Sequence, residues 1–242
     1  MKVVAFIPAR FGSTRLEGKP LKEIKGRPMV QWVYERVKRS GAVSEAAVAT
    51  DDERIARAVR AFGGKAVMTS LSCMTGTERV AEAAKACDGD IIVNVQGDEP
   101  LMEPGVIDDC VRALIEDPVA SISTPVTRMK DPEEFANPNV VKAVTDLNGF
   151  ALYFSRSPIP YPRNIKGSGP VKKHIGLYVY RRDVLLKLAK MPPTPLEEAE
   201  GLEQLRAMEN GLRIKVVETG YDPVSVDTPE DLERVRMMVG EE

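Results

Sequence analysis

The sequence predicts an α/β fold in which a mostly parallel sheet flanked by helices is built first and a small antiparallel lobe is inserted after it. Three observations carry this expectation. In the first half, short apolar β-branched runs alternate with segments of helical spacing, the pattern of parallel strands joined by crossover helices. From about residue 129 the pattern becomes strands answering each other across turn chemistry, as at Asp146, Leu147, Asn148 and Gly149. A length of 242 residues is enough for one large α/β domain with a sizeable core. The expected organisation is a single domain over 1–242, with the antiparallel lobe at about 129–190.

The elements follow in order. Val3, Val4, Phe6 and Ile7 read as a strand buried on both faces, ended by Pro8. A turn at Gly26, Arg27 and Pro28 precedes a helix over 29–40, whose apolar positions are Met29, Val30, Val33 and Val37 and whose stop is Gly41. Trp32 and Tyr34 on that helix are packing residues. A strand at 46–50, a helix at 52–62 and a short strand at 65–68 come next. Thr75 and Glu78 form a capping box that opens a helix to about Cys87. The run 91–95 is a buried central strand, 104–116 a helix and 120–126 another strand. The lobe contributes strands at 140–144 and 150–154, a proline- and glycine-rich loop at 155–170, a strand at 175–180 and a helix at 182–190. A single helix over 195–210, a strand at 214–217 and a last helix capped by Thr228, with Pro229 at its first position, complete the chain.

Composition narrows the function. A net charge of −2 with 29% charged residues excludes a general nucleic-acid or membrane-surface binder, so any basic patch is local. Cys73, Cys87 and Cys110 are widely spaced and odd in number, which excludes a disulfide framework and a structural zinc and fits a reducing cytoplasm. With neither a signal-like start nor a long apolar run, the expectation is a soluble cytoplasmic protein.

Chemistry concentrates first in the loop after the opening strand. Arg10, Arg15 and Lys19 share it with Gly12, Ser13, Thr14 and Gly18, so cations, hydroxyls and close-approach glycines meet at the carboxyl end of a strand. That is a polyphosphate loop. It is not the Walker type, because the spacing from Gly12 to Gly18 is one residue too long and Pro20 stands where a hydroxyl is needed, and the Gly-x-Gly-x-x-Gly fingerprint is missing. Asp98, in QGDEP after the central strand, and Asp227, in VDTPED before the last helix, are element-end carboxylates that together can hold magnesium against a polyphosphate. Each alone also fits a turn or helix-flanking residue. Asp88 and Asp90 have the D-x-D form but precede their strand, and read as a turn. Thr75, Gly76 and Thr77 with Arg79 make a polar helix start that can read a base edge, hold an anion or simply cap the helix. His174, after Lys172 and Lys173, stands with Arg156 and Tyr178 in the lobe, where cations and a phenol suit an acidic polyhydroxylated ligand; Glu203 and Gln204 offer acceptors or a solvated helix face.

The segments IPARFGSTRLEGKPL, ATDD, TGTER, NVQGDEP, FANPNVVKAV, GFALYFSRSPIPY, HIGLYVYRR, LEQLR and VDTPEDLERVR resemble, in order and almost end to end, the signature segments of the CMP-Kdo synthetases, the 3-deoxy-manno-octulosonate cytidylyltransferases. The first segment and QGDEP are shared with related sugar nucleotidyltransferases; ALYFSR, HIGLY and LEQLR are more particular. The resemblance implies a Rossmann-like fold of the nucleotide-diphospho-sugar transferase type with a dimerising lobe. It also implies magnesium-dependent transfer from CTP to Kdo, giving CMP-Kdo and pyrophosphate for lipopolysaccharide biosynthesis. It puts Arg10, Ser13, Arg15 and Lys19 on the triphosphate, with Pro8 and Ala9 beside them, and Thr75, Gly76, Thr77 and Arg79 near the cytosine. Asp98 and Asp227 fall on the metal, Arg156, His174, Tyr178, Glu203 and Gln204 on the sugar, and Gln96 between the substrates. Arg10, Arg15, Lys19 and Asp98 are the expected catalytic residues. Two departures are Glu17, where the family usually has proline, and the segment 71–74, which has no counterpart in the resemblance. The alternatives are a cytidylyltransferase for another acidic sugar (8-amino-Kdo or sialic acid), a glycosyltransferase or a nucleotide sensor.

Overall fold

In the computed structural model, residues 1–12, 16–129, 131–161, 163 and 171–239 are described. The chain divides into two compact units, Met1–Asp108 with Pro223–Glu242, and Asp109–Asp222. The expected lobe at about 129–190 lies within the second.

The first unit begins with β1 (Val3–Ala9), the hairpin β2 (Glu23–Ile24) and β3 (Arg27–Pro28), and α1 (Met29–Lys38). Then come β4 (Glu45–Thr50), α2 (Glu53–Ala61), β5 (Ala66–Met68), α3 (Gly76–Lys85), β6 (Ile91–Asn94) and α4 (Pro104–Glu116), whose last turns belong to the second unit. The strands lie in the order β5-β4-β1-β6, and the pairs on either side of β1 are parallel, as is β4 with β5. Side chains of β1 and β6 are buried on both faces, which is why their sequences read as continuous apolar runs.

The second unit holds β7 (Ile122–Arg128), α5 (Pro132–Ala136), β8 (Lys142–Thr145), β9 (Ala151–Ser155), β10 (Lys172–His174), β11 (Tyr178–Arg181), α6 (Arg182–Leu188), α7 (Pro195–Glu200), α8 (Gln204–Glu209) and β12 (Ile214–Thr219). Its sheet is mixed: β7 pairs antiparallel with β10 and β11 and parallel with β12, and β10, β8 and β9 continue it antiparallel. The last helix, α9 (Pro229–Met238), belongs to the first unit and carries the expected capping box on Thr228. Leu232 and Val235 of α9 pack with Val226, Leu16, Ile24 and Met29 in one buried cluster.

Three expectations are corrected. Pro8 does not end the first strand, which runs on to Ala9 with Pro8 beside Ala49. Phe6 O accepts from Val95 N, so even-numbered residues of β1 face β6, and β6 stops at Asn94. The missing proline N–H therefore points past the end of its neighbour, where no ladder bond is lost. The strand expected at 175–180 is instead β10 and β11 with a bulge between them, across which the register against β7 slips by two residues. Pro125 of β7 offers an acceptor there, taken by Ile175 N, but no donor, and the Thr124 hydroxyl fills the gap by donating to Leu177 O at 2.7 Å. The helix expected over 195–210 is two helices, because Gly201 adopts the left-handed conformation (φ 61°) and caps α7. Arg206 and Glu197 join the halves through a buried ion pair at 2.5 Å.

Candidate active site

β1 and β6 end side by side, and the loops after them open into a cavity of about 450 Å³ within the first unit. A Cβ on Gly97 would come within 2.9 Å of Pro8 O, so only glycine lets these two strand ends approach as they do. Pro8, Ala9, Arg10, Lys19, Thr75, Gly76, Arg79, Gln96, Asp98 and Asp227 all line the cavity. Ser13 and Arg15 lie outside the described residues. Thr77 is buried in the first turn of α3 and does not reach the wall.

Lys19 is the centre of the polar side. It begins a single 3-10 turn (Lys19–Leu21), and Nζ donates to Asp98 Oδ2 at 2.8 Å and to Asp227 Oδ1 at 3.1 Å. Burial acts to lower the pKa of this ammonium, but the two carboxylates outweigh it and the net shift is upward, so Lys19 is charged throughout the neutral range. The carboxylates meet there because Val226 N donates to Asp98 O at 2.9 Å, laying the chain before α9 against the loop after β6. Asp231 completes the arrangement by accepting from the backbone N–H groups of Asp227 and Thr228. Two carboxylates converging on one cationic point are a donor set that suits a hard divalent cation, whose remaining positions would be water and phosphate oxygens. Among the described residues no group of three or more His, Cys, Asp or Glu forms a closed metal cage.

Thr75, also on the cavity lining, caps α3 by accepting from Glu78 N at 3.1 Å, and the Glu78 carboxylate accepts from Met74 N at 2.7 Å. Pro20, Cys73, Met74 and Gly97 also line the cavity and were missing from the expected site. Pro20 and Gly97 were legible as members of the phosphate loop and of QGDEP. Cys73 and Met74 lie in the unmatched segment and gave no signal.

The residues expected at the sugar gather in the second unit. The rings of Phe154, His174 and Tyr178 form a ladder with centroid separations of 5.0 and 5.3 Å. Thr124 Oγ1 donates its proton to Leu177 O, so it accepts from His174 Nε2–H at 2.8 Å and leaves Nδ1 as an acceptor. Burial pushes the His174 pKa down to about 3, and the imidazole is neutral at pH 7. Burial, with the Glu203 charge as a second cause, raises the Tyr178 pKa, so the phenol is a donor. The lobe therefore presents fewer uncommitted cations than its sequence suggests. Lys173 is held by Glu134 and Asp222 at 2.6 Å each, and Lys172 by Glu218 at 3.4 Å. Arg156 donates to the carbonyls of Glu200 (2.7 Å), Pro138 (2.9 Å) and Gly201 (3.4 Å), and Gln204 is buried. Lys142, absent from the expected site, is fully buried with its ammonium donating to the carbonyls of Asn137, Val140 and Arg156. Asp88 and Asp90 bind Lys2 at the amino end of β1 and take no part in the cavity, as their place before the strand implied.

A family model described as cytidylyltransferase matches residues 4–214. The chain belongs to the cytidylyltransferase family. This cytidylyltransferase is 56% identical, over 97% of its length and 98% of the relative's, to the 3-deoxy-manno-octulosonate cytidylyltransferase of Geobacter sulfurreducens. It is 58% identical to the protein of that name from Geotalea uraniireducens, with the same coverage of both chains. Among solved structures, a CMP:2-keto-3-deoxy-manno-octonic acid synthetase complexed with CTP matches with a TM-score of 0.95 and 45% identity, over all of this chain and 99% of the other. A 4-diphosphocytidyl-2C-methyl-D-erythritol synthase from Anaerococcus prevotii, at 15% identity and a TM-score of 0.66 over 99% of this chain and 98% of its own, shares the fold.

Proposed function

We propose that this cytidylyltransferase moves the cytidylyl group of CTP onto the anomeric hydroxyl of 3-deoxy-D-manno-octulosonate (Kdo), giving CMP-Kdo and pyrophosphate for lipopolysaccharide biosynthesis. The observation that carries the reading is the meeting of Arg10, Lys19, Gln96, Asp98 and Asp227 with the amino end of α3 in one cavity. Close likeness to a CTP-bound synthetase over the whole chain supports it. The sugar hydroxyl attacks the α-phosphorus, the bond from that phosphorus to the bridging oxygen breaks, pyrophosphate departs in line, and the hydroxyl proton passes to solvent. Positioning and charge neutralisation serve such a transfer better than covalent participation.

Arg10, Arg15 and Lys19 are assigned to the triphosphate, and Thr75, Gly76 and Arg79 to the base side. Asp98 and Asp227 would hold magnesium, which when bound supplies Lewis-acid polarisation and neutralises charge on the phosphate oxygens. The Cys73 thiol on the cavity wall is no nucleophile at neutral pH, because burial and the neighbouring Glu82 carboxylate push its pKa up to about 11. In the same reading Arg156, His174, Tyr178, Glu203 and Gln204 are assigned to the sugar acid, the neutral His174 as acceptor and the Tyr178 phenol as donor, and Gln96, on the nucleotide cavity, is assigned to both substrates. The protein acts in the cytoplasm as a homodimer, with Leu152, 61% exposed on the outer strand β9, as a surface feature of the dimerising lobe. No helix among the described residues is long and apolar enough to cross a membrane.

The substrate assignment is tested by pyrophosphate release from CTP with a panel of Kdo, 8-amino-Kdo and sialic acid. Kdo is expected to give the highest kcat/KM. A higher value for either other sugar moves the function to that substrate, and CTP binding without release on any sugar makes the protein a nucleotide sensor.

A further inference from the structure

The ATDD segment ends β4 with two adjacent carboxylates, Asp51 and Asp52, that the transfer itself does not use. We infer that they are a pair of positioning residues, Asp51 for the base-side wall of the cavity and Asp52 for the triphosphate side. The inference rests on the nucleotide reading above and adds residues that never touch the ligand.

Asp51 acts through Arg79. Its Oδ2 accepts from Arg79 Nη2 at 2.7 Å, and the Arg79 side chain is buried while Asp51 is partly so. The same guanidinium donates to Thr69 Oγ1 at 2.6 Å and, at 3.5 Å, to Cys73 O. One buried cation thus ties the end of β4, the residue after β5 and the loop carrying Cys73 and Met74 to the first turn of α3. Glu78 and Glu82 hold that loop from the same helix, on Met74 N and Ser70 N, but neither reaches β4. Neutralising Asp51 leaves the Arg79 charge buried against weaker dipoles, and the loop loses its link to the sheet.

Asp52 acts through Arg54 and Phe11. It caps α2 by accepting from Arg54 N at 2.8 Å, and its two oxygens also accept from Arg54 Nε and Nη2 at 3.0 and 2.6 Å. So held, the guanidinium lies 3.3 Å from the centroid of the Phe11 ring. Phe11 in turn backs Gly18: its carbonyl accepts from Gly18 N at 3.0 Å, and a Cβ on Gly18 would stand 3.1 Å from the ring. Gly18 is left-handed (φ 63°) and immediately precedes Lys19. Carboxylate, guanidinium, ring and glycine form a stack that ends at the residue the triphosphate needs most.

The two arms make different predictions, because CMP and CTP share the base while only CTP carries the outer phosphates. Calorimetry with CTP and with CMP on the purified full chain reads both. Asp51→Asn is expected to weaken CTP and CMP by the same factor, about tenfold. Asp52→Asn keeps the helix cap, since asparagine caps as well as aspartate. It is expected to weaken CTP about fivefold and to leave CMP within about twofold. In turnover both variants raise KM for CTP and leave kcat and KM for the sugar within about twofold of wild type. Thr69→Val and Phe11→Leu cut the same arms without touching a charge, and each should follow its own aspartate, which keeps the test open if Asp51→Asn fails to fold. Equal losses on both nucleotides in both arms, or no loss in either, overturn the inference. If wild type binds neither CTP nor CMP, the nucleotide reading itself has failed, and with it this inference.

Discussion

At the residue scale the site is a problem of charge. Lys19 was legible as a phosphate-loop cation, and Asp98 and Asp227 as element-end carboxylates, because each stands at a strand or helix boundary marked by glycine, proline or a cap. That they share one ammonium was not legible, since it depends on the Val226 to Asp98 backbone bond across a long stretch of chain. His174 shows the limit in the other direction. The sequence places His174 after two lysines in a lobe read for its cations and leaves its charge open, whereas burial keeps the ring neutral. This has a consequence for stability. The unfolded chain protonates His174 near pH 6.5, whereas the folded protein does so only near pH 3. The contribution of the neutral ring is therefore complete above pH 6.5 and is lost progressively as the pH falls from 6.5 toward 3. Urea midpoints at pH 7.5, 6.0 and 4.5 should fall more steeply for wild type than for His174→Gln; parallel curves would refute the assignment.

At the element scale, the caps made most of the fold readable. Thr75, Thr228 and Asp52 each accept from the helix backbone where the sequence places a helix start. The misreadings come from tertiary context. Leu202 and Leu205 keep an apolar spacing through Gly201 that looks helical, yet the left-handed glycine turns the chain. The bulge between β10 and β11 answers a proline on a strand that is a neighbour only in space. Gly201→Ala must place a Cβ at φ 61° and is expected to cost about 1 kcal/mol in a denaturant titration. Because Glu203 and Gln204 follow that turn, KM for the sugar should rise while KM for CTP stays level. Unchanged stability together with an unchanged sugar KM would separate the turn from the sugar site.

At the scale of the whole molecule, the sequence showed a parallel half followed by an antiparallel region, and the structure has a parallel first unit and a mixed second one. The second unit begins before the expected lobe, because β7 reads as one more strand of the crossover series although its partners are β10, β11 and β12. Leu152 on β9 gives the proposed dimer a direct test. Leu152→Glu should shift the sedimentation coefficient toward that of a monomer; a dimer as tight as wild type would place the interface elsewhere. In the proposed reaction Asp98 and Asp227 turn a triphosphate loop into a transfer site. That role is tested most directly by pyrophosphate release from CTP with Kdo and magnesium, for wild type beside Asp98→Asn. The expected result is turnover by wild type and a loss of at least about 100-fold in kcat for the variant with an unchanged melting temperature. Near-normal turnover by Asp98→Asn would contradict it.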